Sequence, residues 1–383
     1  MTTGKLYYED CHLRAFCARV VSCEKCEKGY EVILDSTAFY PEGGGQACDL
    51  GTLGNAKVLD VQERGETVVH LCDQPRRGGD TVDGAIDWNR RFDLMQQHSG
   101  EHIVSGLVNK LLGHHNVGFH VGKTAMEIDF DGPINAEQLA DIERQANEAV
   151  WQNLPIRCWV PSREELPQVF YRTKRELPWP VRVVEVPGYD SCACCGVHVK
   201  NTGEIGLIKI LSCVKFHKGV RLELLCGGRA YRYMAEVFEQ NRQVSQAFSA
   251  QLLETGNAAK RMNEVLAAEK FRAAGLEKRV FARIAEGYAN CGNVTHFEAD
   301  LTPNGVRELC CAIAGVCGGM AVVYTGKDGS YSLCANGDAQ QVTALGAALA
   351  AHCGGRGGGK PGFWQGSVAA MGGELKTLLD TMR

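Results

Sequence analysis

His98 and His102 stand four positions apart in Gln97-His98-Ser99-Gly100-Glu101-His102, and Cys194 and His198 stand four apart in Cys194-Cys195-Gly196-Val197-His198. On a helix an i, i+4 pair lies about 40° apart at roughly 100° per residue, so both imidazoles can address one ion. A thiolate and an imidazole added to two imidazoles make a ligand set that zinc favours over magnesium or calcium. The two pairs together therefore predict one Zn2+ ion.

Within the first pair, His98-Ser99-Gly100-Glu101-His102 also satisfies H-xx-E-H, a zinc protease signature in which the glutamate is a general base. Glu101 falls roughly 60° from His98 and roughly 100° from His102, near enough for its carboxylate to reach an ion. A protease of that type expects a carboxylate as third ligand, whereas the partner pair here is Cys-xxx-His. A second spacing, Cys23-xx-Cys26 with Cys192 and Cys195, would suit a structural zinc held by four thiolates. The adjacency of Cys194 and Cys195 counts against it. The segment from Asp35 to Gln46 carries Gly43, Gly44 and Gly45 in succession. Such a run turns the chain, and it also lets a bulky ligand approach the backbone closely.

The bulk properties narrow the class. The chain has 383 residues, 45% of them hydrophobic, enough for two to four ordinary cores. Its net charge is only −4, so any contact with nucleic acid must come from local basic patches. Eighteen cysteines, no apolar signal after Met1-Thr2-Thr3-Gly4-Lys5 and no run near the roughly 20 apolar residues of a membrane span point to a reducing cytoplasm and to no membrane partner. Most of the thiols are expected to pack as small apolar groups.

Along the chain, residues 1–88 alternate short apolar runs with turn signals, including strands at Lys57 to Val61 and Thr67 to Leu71 and a turn-rich connection at Gly51 to Asn55. Helical periodicity begins at Arg90, with Leu94, Ile103, Leu107 and Leu111 as an apolar stripe. Strands at Val117 to Val121 and Thr124 to Phe130, a helix near 135–152 with Leu139, Ile142 and Ala146 inward, and strands at Ile156 to Val160 and Val181 to Val186 follow. A hairpin turning at Lys218-Gly219 collects Lys215, Lys218 and Arg221, with Tyr171-Arg172-Thr173-Lys174-Arg175 upstream, as candidate phosphate contacts. Residues 228–289 read as long helices broken near Thr255-Gly256-Asn257. Beyond them, strands at Val294 to Glu298 and Met320 to Tyr324 and helices at Val306 to Ala314 and Val342 to His352 suggest an α/β unit. Gly354 to Pro361 contains G-xxxx-G-K, but Pro361 stands where a P-loop needs Ser or Thr, so no nucleotide cofactor is expected. Arg356 and Lys360 remain suited to a phosphate backbone.

Thr37 to Gln46, His98-xxx-His102, Cys194-xxx-His198 and the glycine-rich segment 354–361, in this order, resemble the alanyl-tRNA editing proteins of the AlaX family, long form. They are similar to the editing and C-terminal (C-Ala, DHH-associated) portions of alanyl-tRNA synthetase. The resemblance implies an α+β multidomain chain with an N-terminal β-barrel carrying the glycine-rich motif (1–88) and a zinc-dependent editing domain (89–227). A helical connector with a contact for a homodimer (228–289) and an α/β C-Ala-like tRNA-binding domain (290–383) would follow. It implies a zinc-dependent aminoacyl-tRNA deacylase that removes serine, and also glycine, from tRNA(Ala). A synthetic site sized for alanine rejects these poorly, so a second hydrolytic site is needed. On this resemblance His98, His102, Cys194 and His198 hold the ion, or His198 stands back to orient water. Thr37, Gly43, Gly44, Gly45, Gln46 and Glu101 line the substrate side, with Thr37 contacting the seryl hydroxyl, and Arg221, Arg356 and Lys360 meet the tRNA. The rival classes are the metalloprotease and a non-catalytic tRNA-binding protein.

Overall fold

The computed structural model describes residues 2–173 and 177–381, so Lys174 and Arg175 lie outside the described residues. The chain falls into two compact units, residues 1–242 and 243–383.

The first unit opens with six strands: β1 (Ala15–Cys26), β2 (Gly29–Leu34), β3 (Gly51–Leu53), β4 (Ala56–Arg64), β5 (Thr67–Cys72) and β6 (Thr81–Ile86). They close on themselves in the order β1-β2-β5-β4-β3-β6. Phe16, Ala18 and Val20 point inward at every second position of β1, where they meet Val32, Leu34, Val68 and Cys72. On β4, a register shift between Val58 and Asp60 lets both Val58 and Val61 face the core despite their odd spacing. Gly51–Leu53, expected as a connection, is instead the short strand that links β4 to β6. Cys23 and Cys26 lie on β1, where residues three apart face opposite sides, and Cys23 Sγ accepts the Arg76 amide at 3.3 Å. Neither joins a metal-capable group among the described residues.

Helix α1 (Trp88–Leu112) follows, capped by the Asp87 side chain on the Arg90 amide and ended by Gly113 at φ 71°. Around it stand β7 (Asn116–Val121), β8 (Met126–Phe130), α2 (Ala136–Gln152), β9 (Arg157–Trp159), β10 (Val183–Val186), β11 (Asp190–Ala193), β12 (Ile208–Phe216) and β13 (Gly219–Cys226). One sheet runs β12-β13-β8-β7 and a smaller one β9-β10-β11, each antiparallel between neighbours. Every α1 residue from Leu94 to Val108 is buried. An enclosed helix has no solvent face, so its polar residues need protein partners. The Gln97 side chain supplies a clear case, bonding both the amide and the carbonyl of Cys226 at 2.9 Å. Leu111, expected in the apolar stripe, is 43% exposed because the helix has left this enclosure.

Helix α3 (Gly227–Ala247) runs past the boundary at residue 242, and α4 (Thr255–Glu286) follows in the second unit after a break at 248–254, immediately before the Thr255 near which a break was expected. Strand β14 (Gly292–Phe297), α5 (Pro303–Cys317) and β15 (Gly318–Lys327) form a parallel crossover. Strand β16 (Ser330–Asn336), α6 (Ala339–His352), β17 (Arg356–Gly358), β18 (Phe363–Val368) and α7 (Gly372–Thr381) complete a five-stranded sheet in the order β14-β15-β16-β18-β17. The glycine-rich 354–361 segment thus supplies an exposed edge strand, with Arg356 and Lys360 exposed. Among the described residues no helix is long and apolar enough to cross a membrane.

Candidate metal centre

The enclosure of α1 brings its two histidines against the irregular segment after β11. His98, His102, Cys194 and His198 each present a ligand atom, all within 4.8 Å of one another. Each histidine is 2% exposed. Cys194 Sγ lies 3.4 Å from His98 Nε2 and 3.5 Å from His198 Nε2. A tetrahedral zinc with ordinary Zn–S and Zn–N bonds would separate such atoms by about 3.5 Å, so the donors present fit that ion.

What turns each Nε2 inward is the bond made by the other ring nitrogen. His98 Nδ1 donates to Gln46 Oε1 at 2.7 Å, and His102 Nδ1 donates to Asp190 Oδ2 at 2.9 Å. His198 Nδ1 stands 3.2 Å from Ser99 Oγ, which also accepts the Val199 amide. With Nε2 kept for an ion, Nδ1 carries the proton and donates to Ser99. Outer partners of this kind set tautomer and ring orientation in metal sites. Asp190 is itself held by Arg172, whose Nε and Nη2 donate to its two oxygens at 2.6 and 3.0 Å.

The charges support one another. Burial opposes ionisation of Cys194, yet the neighbouring His98 and His102 hold its thiol well below the usual 9.0. Burial likewise works against a charged His102, but the Cys194 thiolate and Asp190 outweigh it and raise its pKa well above 6.5. His198 goes the other way, lowered to about 3 by burial and by its neighbour His98.

The glycine segment reaches the cluster through Gln46. Gly43 and Gln46 exchange backbone bonds at 3.1 and 3.0 Å around Gly44 and Gly45, whose φ values of 59° and 81° suit the tight turn of a two-residue hairpin. A Cβ at Gly45 would sit 2.5 Å from Phe119 Cδ1, and the Phe119 ring lies 5.2 Å from His98. Glu101, 5% exposed, accepts from Ser105 Oγ at 2.5 Å and Asn116 Nδ2 at 2.6 Å, and its second oxygen is 3.9 Å from His102 Nε2. Thr37 is fully buried in the barrel, where it bonds His70 Nε2 at 2.8 Å and accepts the Phe39 amide.

Of the predicted phosphate contacts, Arg221 is committed to Asp129 at 2.7 and 2.9 Å and to Glu127 at 2.8 Å, and stacks on Phe216. Arg172 is likewise spent on Asp190. Lys215 and Lys218 are exposed. Sequence reasoning missed Asp190, the tie of Arg172 to it, and Ser99. The first two carry no signal because partners 88 and 18 positions away leave no spacing to read, whereas Ser99 lies inside the His98–His102 motif.

Two family models match the chain: the threonyl and alanyl tRNA synthetase second additional domain over residues 181–222, and the class II (A) tRNA synthetases over residues 2–90. An alanyl-tRNA editing protein Aarsd1 of Bos taurus is 36% identical over 262 residues, covering 63% of this chain and 58% of its own. An alanine–tRNA ligase of Ignicoccus hospitalis is 36% identical over 260 residues, covering 64% of this chain and 28% of its own. One of Pyrobaculum aerophilum is 34% identical over 418 residues, covering 100% of this chain and 44% of its own. The chain thus spans 28% to 58% of these relatives' lengths.

Proposed function

We propose, from the premise that this chain is an AlaX-like relative of the alanyl-tRNA editing proteins, that it is a cytoplasmic trans-editing hydrolase. It cleaves the ester that joins serine, and also glycine, to the 3′ end of tRNA(Ala). The observation that carries this reading is the buried cluster of three imidazoles and one thiolate, joined through Gln46 to a glycine turn whose exposed backbone a substrate can approach. Residues 1–88 and 89–227 form the barrel and the editing domain, 228–289 a connector with a dimer contact, and 290–383 a C-Ala-like tRNA-binding domain.

His98, His102, Cys194 and His198 hold zinc in this reading. Bound there, zinc would supply positive charge beside the ester. Gln46, Asp190 and Ser99 keep the three rings aimed. Glu101 accepts the proton of the attacking water at the oxygen facing His102, while Ser105 and Asn116 hold its other oxygen. Gly43, Gly44 and Gly45 let the aminoacyl group lie against backbone. Thr37 selects serine from within the barrel by exchanging its bond to His70 for one to the seryl hydroxyl. Thr37→Val is then expected to lower the serine-to-alanine ratio of deacylation rates, and an unchanged ratio removes that role. Arg356 and Lys360 contact phosphates of the tRNA. The same role for Arg221 requires it to leave Asp129 and Glu127.

The test is deacylation of seryl-, glycyl- and alanyl-tRNA(Ala) by the wild type and by Cys194→Ala, with zinc content measured in both. The wild type is expected to spare alanyl-tRNA, and the variant to lose zinc and activity together. Zinc loss with seryl-tRNA hydrolysis intact would overturn the mechanism. Peptide cleavage without deacylation would support the metalloprotease, and tRNA binding by an inert zinc-loaded protein would support a binding module.

A further inference from the structure

Two of the four proposed ligands, Cys194 and His198, come from an irregular segment, so neither a helix nor a sheet ladder sets their position. His198 is tied to α1 through Ser99. Cys194 is tied to something else. Its amide donates to the Arg182 carbonyl at 3.0 Å. Arg182 Nη1 then donates at 2.8 Å to the Cys194 carbonyl and at 2.8 Å to the Gly196 carbonyl. The carbonyl between them, that of Cys195, accepts the Tyr8 hydroxyl at 2.7 Å. The Arg182 guanidinium carbon lies 4.5 Å from the centre of the Tyr8 ring, so the two side chains hold each other.

Three successive carbonyls are thereby held by this pair, and the Gly196 amide donates to Cys194 Sγ at 3.3 Å. That arrangement stabilises a thiolate and points it at the histidines. Among the described residues no carboxylate pairs with Arg182, although most other buried or half-buried arginines here have one, such as Arg91, Arg172 and Arg229. Its Nη1 goes to the ligand loop.

We propose that Arg182 and Tyr8 form a clamp that positions Cys194 for the metal, making both positioning residues for a centre they do not ligate. The proposal rests on the metal reading of the His98, His102, Cys194 and His198 cluster. The planar fork of arginine bridges two carbonyls from one nitrogen while its face rests on an aromatic ring; lysine keeps the charge without that geometry.

The experiment is competition for Zn2+ between a chromophoric chelator and the full-length protein, in wild type, Arg182→Lys and Tyr8→Phe, with Co2+ as a spectroscopic substitute. Arg182→Lys is expected to weaken zinc binding by about tenfold to a hundredfold, the usual range for outer partners of ligands. Tyr8→Phe should weaken it less, and both should dim the cobalt–thiolate charge-transfer band. Wild-type affinity in both variants overturns the clamp, as does full rescue by lysine. Thermal unfolding of the zinc-free proteins separates the clamp from a general folding role: equal losses of midpoint with and without zinc also overturn it. If Arg182→Lys does not fold, Tyr8→Phe removes a single oxygen and still reads the effect. The assay needs no tRNA, so weakened zinc binding in a protein that edits nothing would remove the editing reading and leave the clamp standing.

Discussion

At the scale of single residues, two positions are tightly constrained. Gly196 stands so close to His98 that a Cβ would overlap the imidazole ring. Gly196→Ala must therefore displace either the His98 ring or the Cys194 loop. Zinc content after dialysis is expected to fall to a small fraction of wild type, while far-ultraviolet circular dichroism stays unchanged; stoichiometric zinc in the variant would show that the loop can yield. The second position, His70, is fully buried in the barrel between the Val32 carbonyl, at 3.1 Å, and Thr37. Burial pulls its pKa down to about 4, against a smaller upward pull from that carbonyl. The folded pKa lies below the unfolded one near 6.5, so between these values the unfolded chain binds a proton that the barrel refuses. Its stabilising effect is complete above pH 6.5 and is lost as pH falls toward 4, on the order of 3 kcal/mol in all. Urea unfolding at pH 7.5 and 4.5 should show a smaller difference in His70→Gln than in wild type, and an equal difference would assign the acid limb to other groups.

At the scale of elements, the decisive joint is between α1 and the glycine-bearing segment. Arg91 and Asp49 are fully buried and ion-paired; Arg91 also donates to the carbonyls of Cys11 and Ala38, and Asp49 accepts the Tyr40 amide at 2.6 Å. The pair fastens 38–49 to the helix that carries His98, so that Gln46 meets its imidazole. Removing one partner strands a buried charge, and Asp49→Ala or Arg91→Ala is expected to cost about 3–5 kcal/mol in denaturant unfolding. A loss below about 1 kcal/mol would mean water replaces the missing group. The sequence made the metal-capable cluster legible because His98/His102 and Cys194/His198 keep fixed spacings, and it made α5 and α6 legible because their apolar residues repeat at helical spacing. It hid the barrel's extent because β3 is three residues beside glycines and β4 has a register shift that breaks alternation. It hid the roles of Arg172 and Arg221 because basic residues look alike until a carboxylate is found within reach.

At the scale of the molecule, a chain of net charge −4 proposed to act on a polyanion must concentrate its cations locally. The second unit offers Arg356 and Lys360 on an exposed, glycine-rich edge, and neither forms an ion pair among the described residues. The His98, His102, Cys194 and His198 cluster lies wholly in the first unit. Binding and chemistry should therefore separate by mutation. Removing one cation from a phosphate reduces the slope of log affinity against log salt by about 1. Arg356→Ala with Lys360→Ala is expected to flatten that slope by about 2 and to raise KM for seryl-tRNA(Ala), with kcat retained at saturation. Cys194→Ala should do the reverse, abolishing kcat while leaving tRNA affinity and its salt dependence intact. If the double variant keeps the wild-type slope, the glycine-rich edge meets no phosphate, and the exposed Lys215 and Lys218 beside the hairpin turn of the first unit become the residues to replace next.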